Sequence, residues 1–138
     1  MNHTEISQYI TRTFQDVHVA TAGDNMFFFQ DPQRKFPFVT IVADDSYDTF
    51  SNLNRDGVFR LNIGVGKQTF QELFGAKRPD RYDYTVLDRI MPHPVYGNLY
   101  WICVLNPGQH TFERIIPLLA EAYELSVARY SKPAMRPG

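Results

Sequence analysis

The sequence predicts a single α+β domain, an antiparallel sheet of about five to six strands with helices packed on one face. Three observations point there. Residues 99–105 form an apolar strand that a tight Asn106-Pro107-Gly108 turn joins to a long amphipathic helix. Residues 58–65 alternate, with Phe59, Leu61, Ile63 and Val65 on one side and Val58, Arg60, Asn62 and Gly64 on the other. Earlier in the chain, short strand candidates are separated by turns of hairpin length.

Taken in order, residues 4–14 read as a first helix, with Thr4 as its cap and Ile6, Tyr9, Ile10 and Phe14 on one stripe facing the last helix. Residues 17–20 and 26–30 are strands joined through Ala22-Gly23-Asp24-Asn25, which supplies the positive φ a hairpin needs. Asp31-Pro32-Gln33-Arg34-Lys35 is a second turn, because Pro32 fixes φ and Asp31 can bond the backbone ahead of it. The strand at 36–43 tolerates Pro37 only near its start or at an edge. Residues 44–57 are irregular, and Tyr47, Phe50 and Leu53 imply a loop that packs back on the body.

After the alternating strand, residues 67–74 form a short helix closed by Gly75, with Phe70, Leu73 and Phe74 inward. Residues 76–83 are expected to be mobile and 84–90 to form one or two helical turns. Met91-Pro92-His93-Pro94-Val95-Tyr96-Gly97 is expected to be irregular, since two prolines and a glycine bracket a histidine. In the last helix Thr111 is the expected N-cap, and Phe112, Ile116, Leu119, Tyr123 and Val127 recur at spacings of three or four. Pro117 either kinks that helix or begins it after a separate short turn. The domain is expected to span residues 1–130, with a disordered tail at 131–138.

A chain of 138 residues has room for one core, and 11 Phe and 8 Tyr imply that rings build much of it. A net charge of −1 gives no general attraction to nucleic acid or anionic membranes. The lone Cys103 lies within an apolar strand and reads as a small buried hydrophobe. No apolar run is long enough to span a bilayer, and the chain opens into an amphipathic helix without a signal peptide, so a cytoplasmic protein that does not enter membranes is expected.

The stretches from Phe27 to Phe38, Gly57 to Val65 and Met91 to Gly97 resemble a family of small bacterial proteins of unknown function, and the likeness covers nearly the whole chain. The strand Trp101-Ile102-Cys103-Val104 and the terminal helix with Ala122-Tyr123-Glu124-Leu125-Ser126-Val127 more distantly resemble the MmcQ/YjbR-like proteins, which have a frataxin-like α/β fold. Those proteins tend to carry serine where this chain has Ala122. The resemblance implies an antiparallel sheet backed by helices and, as an alternative function, a double-wing DNA-binding module.

No catalytic motif is recognised, so enzymatic activity stays open and no cofactor is expected. Gly64-Val65-Gly66-Lys67-Gln68-Thr69 joins a strand to a helix but lacks the spacing of a phosphate loop; one phosphate or carboxylate could sit at the helix start beside Lys67. Asp44, Asp45 and Asp48 lack the pattern of a calcium loop and read as turn formers, and the scattered histidines lack zinc-site spacing, so no metal site is expected. Arg34, Lys35, Arg55 and Arg60 could meet phosphates; four such contacts give a salt slope of about −3.6 on duplex DNA. The expected binding surface comprises Arg34, Lys35, Asp44, Asp45, Arg60, Asn62, His93 and Tyr96, a mixture of cationic, amide and imidazole groups against aromatic walls that suits a small-molecule ligand. The favoured function is a small-ligand binding or regulatory module, monomer or homodimer. The alternatives are nucleic-acid binding and a small enzyme using His93 as acid or base.

Overall fold

The computed structural model describes residues 1–75 and 81–131. Most of the segment expected to be mobile and all but the first residue of the expected tail lie outside the described residues. Three helices, α1 (His3–Thr13), α2 (Lys67–Phe74) and α3 (Gln109–Ser131), accompany six strands: β1 (His18–Ala22), β2 (Asn25–Phe29), β3 (Val39–Val42), β4 (Arg60–Gly64), β5 (Met91–Pro92) and β6 (Trp101–Leu105). The strands form one open sheet in the order β1-β2-β3-β4-β6-β5, each neighbour antiparallel to the next. The architecture is the α+β sheet with helices on one face that the sequence predicts.

Strand alternation sorts the side chains. Phe28, Val39, Ile41, Leu61, Ile63, Ile102 and Val104 share one core with Ile6 and Ile10 of α1, Phe74 of α2, and Phe112, Ile115 and Leu119 of α3. Alpha-helix α1 lies beside α3, with Tyr9 edge-on to Phe112 at 5.3 Å between ring centroids and Phe14 stacked on Tyr123 at 4.8 Å. The opposite face of the sheet carries Phe27, Thr40, Val42, Arg60, Asn62, Trp101, Cys103 and Leu105. A smaller cluster of Val42, Leu53, Tyr84, Met91, Cys103 and Leu105 covers one end of it, placing the 44–57 loop over the sheet.

Several local expectations are corrected. Asn2, not Thr4, caps α1: its side chain accepts from the Glu5 amide at 2.8 Å while the Glu5 carboxylate accepts from the Asn2 amide at 2.9 Å, a reciprocal capping box. Thr111 is not the cap of α3, which starts at Gln109; the Asp88 carboxylate receives the Gly108 N–H at 2.7 Å, cross-linking a distant loop to that helix start. Residues 84–90 are not helical: a turn at 84–85 is followed by an isolated bridge from Leu87 to Leu105 and irregular chain. Met91–Pro92 does form a strand, because at the sheet edge a proline need not donate to a further neighbour. The last strand begins at Trp101 rather than 99, since Gly97–Leu99 closes as a 3-10 turn and Tyr100 adopts a left-handed φ of 67°.

Pro117 sits inside one continuous helix, with its own side chain and Glu113, four residues earlier, both exposed. The carbonyl deprived of its N–H partner is thereby on the water side, which lets the helix run through. Pro117→Ala restores that hydrogen bond without disturbing the core, and equilibrium urea unfolding should show a gain of up to about 3 kcal/mol.

Candidate functional site

The face of the sheet away from the helices holds a cleft of about 520 Å³. Its floor follows from register. Phe27 pairs with Thr40 and Thr40 with Asn62, so these three side chains form a row across β2, β3 and β4. Val42 and Arg60 form the next row toward one end of the strands, and Trp101, opposite Gly64, lies toward the other. Gly64 is required there: a Cβ on it would come within 2.9 Å of the Trp101 indole.

Three connections wall the floor. The β2–β3 turn contributes Arg34, Lys35, Phe36 and Pro37; the loop after β3 contributes Tyr47 and Asp48; the β5–β6 connection contributes His93, Val95, Tyr96 and Leu99. Because β2 and β3 are antiparallel, the first two connections stand at opposite ends of the strands.

A polar chain runs through the floor. Arg60, 2% exposed, donates from Nε to Asn62 Oδ1 at 3.0 Å, from Nη1 to Ser51 Oγ and Asp48 Oδ1 at 3.0 Å each, and from Nη2 to Asp48 Oδ2 at 2.7 Å. Asn62 in turn donates to the Thr40 hydroxyl at 3.0 Å. Burial pushes the Asp48 carboxyl up, but the hydrogen bonds and charge of Arg60 outweigh it and hold the group below its ordinary 3.8. This bidentate contact is the ion pair found among the described residues.

His93 is 3% exposed, and its Nδ1 accepts the Val95 and Tyr96 amides at 3.0 Å each. Two donors on Nδ1 fix the neutral tautomer with its proton on Nε2. Burial, reinforced by the nearby Arg60 charge and opposed by Asp48, lowers its pKa from 6.5 to about 3. The ring leans over Tyr96 at 5.0 Å.

Six of the eight expected site residues, Arg34, Lys35, Arg60, Asn62, His93 and Tyr96, therefore line one cleft. Arg60 and Asn62 lie under it rather than reaching solvent. Asp44 and Asp45 do not line it. Asp44 accepts from the Ser46 amide at 2.9 Å and the Asn25 side chain at 3.2 Å, and Asp45 accepts from the Leu53 amide at 2.9 Å, so both shape the loop. The third acid of that loop, Asp48, and the aromatic lining of Phe27, Phe29, Tyr47 and Trp101 were missing from the expected set. The signal for the rings was the run Met26-Phe27-Phe28-Phe29, apolar on both faces where a one-sided sheet needs only one.

The position beside Lys67 where the sequence left room for an anion is filled by the chain itself. Glu121 of α3 accepts from the Gly66 amide at 2.7 Å and the Thr69 hydroxyl at 2.6 Å. No group of three or more His, Cys, Asp or Glu side chains placed to hold a metal occurs among the described residues, and no described helix is long and apolar enough to cross a membrane. Cys103 is buried, and burial raises its thiol pKa to about 12.

Two outcomes follow from the floor and wall. Asp48→Ala strands the Arg60 charge, and urea unfolding at neutral pH should show a loss of about 3 kcal/mol, near the low end of the range for such breaks because Asp48 keeps some water contact. The folded His93 pKa lies below the unfolded value, so the unfolded chain takes up that proton first. The stability His93 contributes is complete above about pH 6.5, declines as pH falls, and is exhausted near pH 3. Asparagine can offer Oδ1 to the same two amides and does not titrate, so His93→Asn should flatten the fall in stability between about pH 6.5 and pH 4. An unchanged slope would mean that other groups set it.

No curated protein matches this chain. A crystal structure of a protein from Pseudomonas syringae, a structural genomics target, is similar with a TM-score of 0.58 at 16% identity, over 91% of this chain and 99% of that one. At that identity the likeness bears on the fold alone. The model of the family of unknown function DUF6194 matches residues 1–135, nearly the whole chain, and the protein therefore belongs to that family.

Proposed function

We propose that this protein is a small-molecule binding module and that the cleft on the open face of its sheet is the binding site. The observation that carries the reading is the cleft itself: about 520 Å³, lined mostly by rings and aliphatic groups around a few fixed polar atoms. That volume and make-up fall within the range usual for organic ligands, roughly 300–1,000 Å³. The polar atoms are preorganised, since Arg60, Asn62 and His93 are each held by hydrogen bonds before any ligand arrives. Phe36, Tyr47, Val95, Tyr96 and Leu99 leave apolar surface open at the rim, where a ligand body would cover it.

The alternatives draw less support. A general acid or base must change protonation near working pH, and His93, lowered to about 3 with Nδ1 already engaged, stays neutral there. Its carboxylate neighbour is Asp48 rather than Asp44 or Asp45, and Asp48 is committed to Arg60. For nucleic acid, Arg60 is buried in its ion pair and Arg55 donates to the carbonyls of Ser51, Asn52 and Thr85. Only Arg34 and Lys35 of the four basic candidates then meet phosphates freely, which halves the salt slope to about −1.8 and leaves little affinity.

The single tryptophan lines the cleft, so occupancy is readable as fluorescence. The neutral apolar dye N-phenyl-1-naphthylamine should bind at one site per chain with energy transfer from Trp101. Thr40→Phe, which puts a ring on the floor, should weaken that binding by about tenfold or more. Dye binding that Thr40→Phe leaves intact, or no saturable transfer from Trp101, would sink the reading.

A further inference from the structure

The distribution of charge along the cleft narrows what it would hold. At the end formed by the loop after β3, both carboxylate oxygens of Asp48 are taken by Arg60, and Oδ1 also accepts the Phe50 amide at 3.2 Å. The Arg60–Asp48 pair is neutral overall, and its carboxylate is committed to Arg60. At the opposite end, Arg34 and Lys35 both line the cleft and neither makes an ion pair among the described residues.

Their turn is held rather than loose. The Asp31 carbonyl accepts the Arg34 amide at 3.1 Å and the Asp31 carboxylate accepts the Lys35 amide at 3.0 Å, with Asp31 itself buried. Arg34 adopts a left-handed φ of 54°, a conformation that costs energy for a non-glycine residue and persists where the surroundings fix it. Along the side wall, His93 in its fixed tautomer can offer only Nε2–H. Counting Arg34, Lys35 and Arg60 against Asp48, the lining carries a formal charge of +2, in a chain whose total is −1.

We infer that the ligand is an organic anion: a flat apolar body lying against Phe27, Phe29 and Trp101, and one anionic head, a carboxylate or phosphate, at the Arg34–Lys35 end. This rests on the reading of the cleft as a ligand site and specifies its chemistry. Among the lining residues a cationic ligand meets two cations without an ion-pair partner, and the one lining carboxylate, Asp48, is committed to Arg60. A neutral ligand of the same shape gains the apolar contacts alone. The fixed turn lowers the ordering cost of engaging the head, because only the two side chains remain to be immobilised.

The test uses three ligands of one shape, 2-naphthoate, 2-naphthamide and 2-naphthylmethylammonium, each titrated into the 138-residue chain at low salt with Trp101 quenching as the readout. Naphthoate should bind about tenfold more tightly than the amide, and the ammonium compound more weakly than either. In the Arg34→Gln/Lys35→Gln double variant, naphthoate affinity should fall to that of the amide. Raising the salt to about 0.5 M should shrink the naphthoate advantage while leaving the order of the other two. Equal binding of naphthoate and amide, or an advantage that survives in the double variant, overturns the anion assignment while the cleft still binds. Absence of quenching by all three removes the cleft reading along with it. Inorganic phosphate competing with naphthoate but not with the amide would mark the head site as accepting a phosphate as well as a carboxylate, which supports the shared anionic chemistry.

Discussion

A guanidinium inside a folded sheet is tolerable only when its charge is matched and its N–H groups are bonded, since the cost of desolvating an unpaired ion exceeds what packing returns. Arg60 imposes that requirement on the open face of this protein. Satisfying it draws the loop after β3 over the sheet until Asp48 and Ser51 reach the guanidinium, and it fixes Asn62, which in turn orients toward Thr40. One wall and part of the floor of the cleft are thus consequences of neutralising one charge. The same charge, after burial, helps keep His93 neutral, and the Val95 and Tyr96 amides on Nδ1 place its proton on Nε2.

The helical face follows a parallel logic with backbone in place of side chain. Helix starts leave N–H groups without partners, and two of the three here are served by carboxylates from elsewhere in the chain. Glu121 of α3 closes the start of α2, and Asp88, from the connection before β5, closes the start of α3. These caps join segments tens of residues apart, so the helices are fastened to one another and to the loops as well as to the sheet. Only α1 carries its own cap, in Asn2 and Glu5.

The parts legible in sequence were those set by local periodicity. The alternation around Arg60 and Asn62 gave the correct faces of β4, and α2 was bounded correctly because Gly66 and Gly75 flank a clear apolar stripe. Residues whose role depends on a distant partner were less legible. Thr111 had the composition of an N-cap, but Asp88 occupies that role from another segment, and nothing local distinguishes the two. Likewise Asp44, Asp45 and Asp48 are alike as acids in one loop; which of them meets Arg60 depends on how the loop lands. The polar side of β4 was legible, but not that this side would be roofed, since covering depends on three connections meeting over it. The edge strand at Met91 was hidden by Pro92, whose usual meaning is a break in regular structure.

Strand order sets how the His93 wall is attached. The first four strands follow one another in the chain and in the sheet. The partner of β5, by contrast, is β6, which lies later in the chain and pairs on its other side with β4. The two register pairs of this edge strand are the smallest pairing in the sheet. The segment that carries His93 is therefore held to the sheet less by its ladder than by burial, with Met91 and His93 almost fully enclosed, so this side of the cleft is kept by packing rather than by strand pairing.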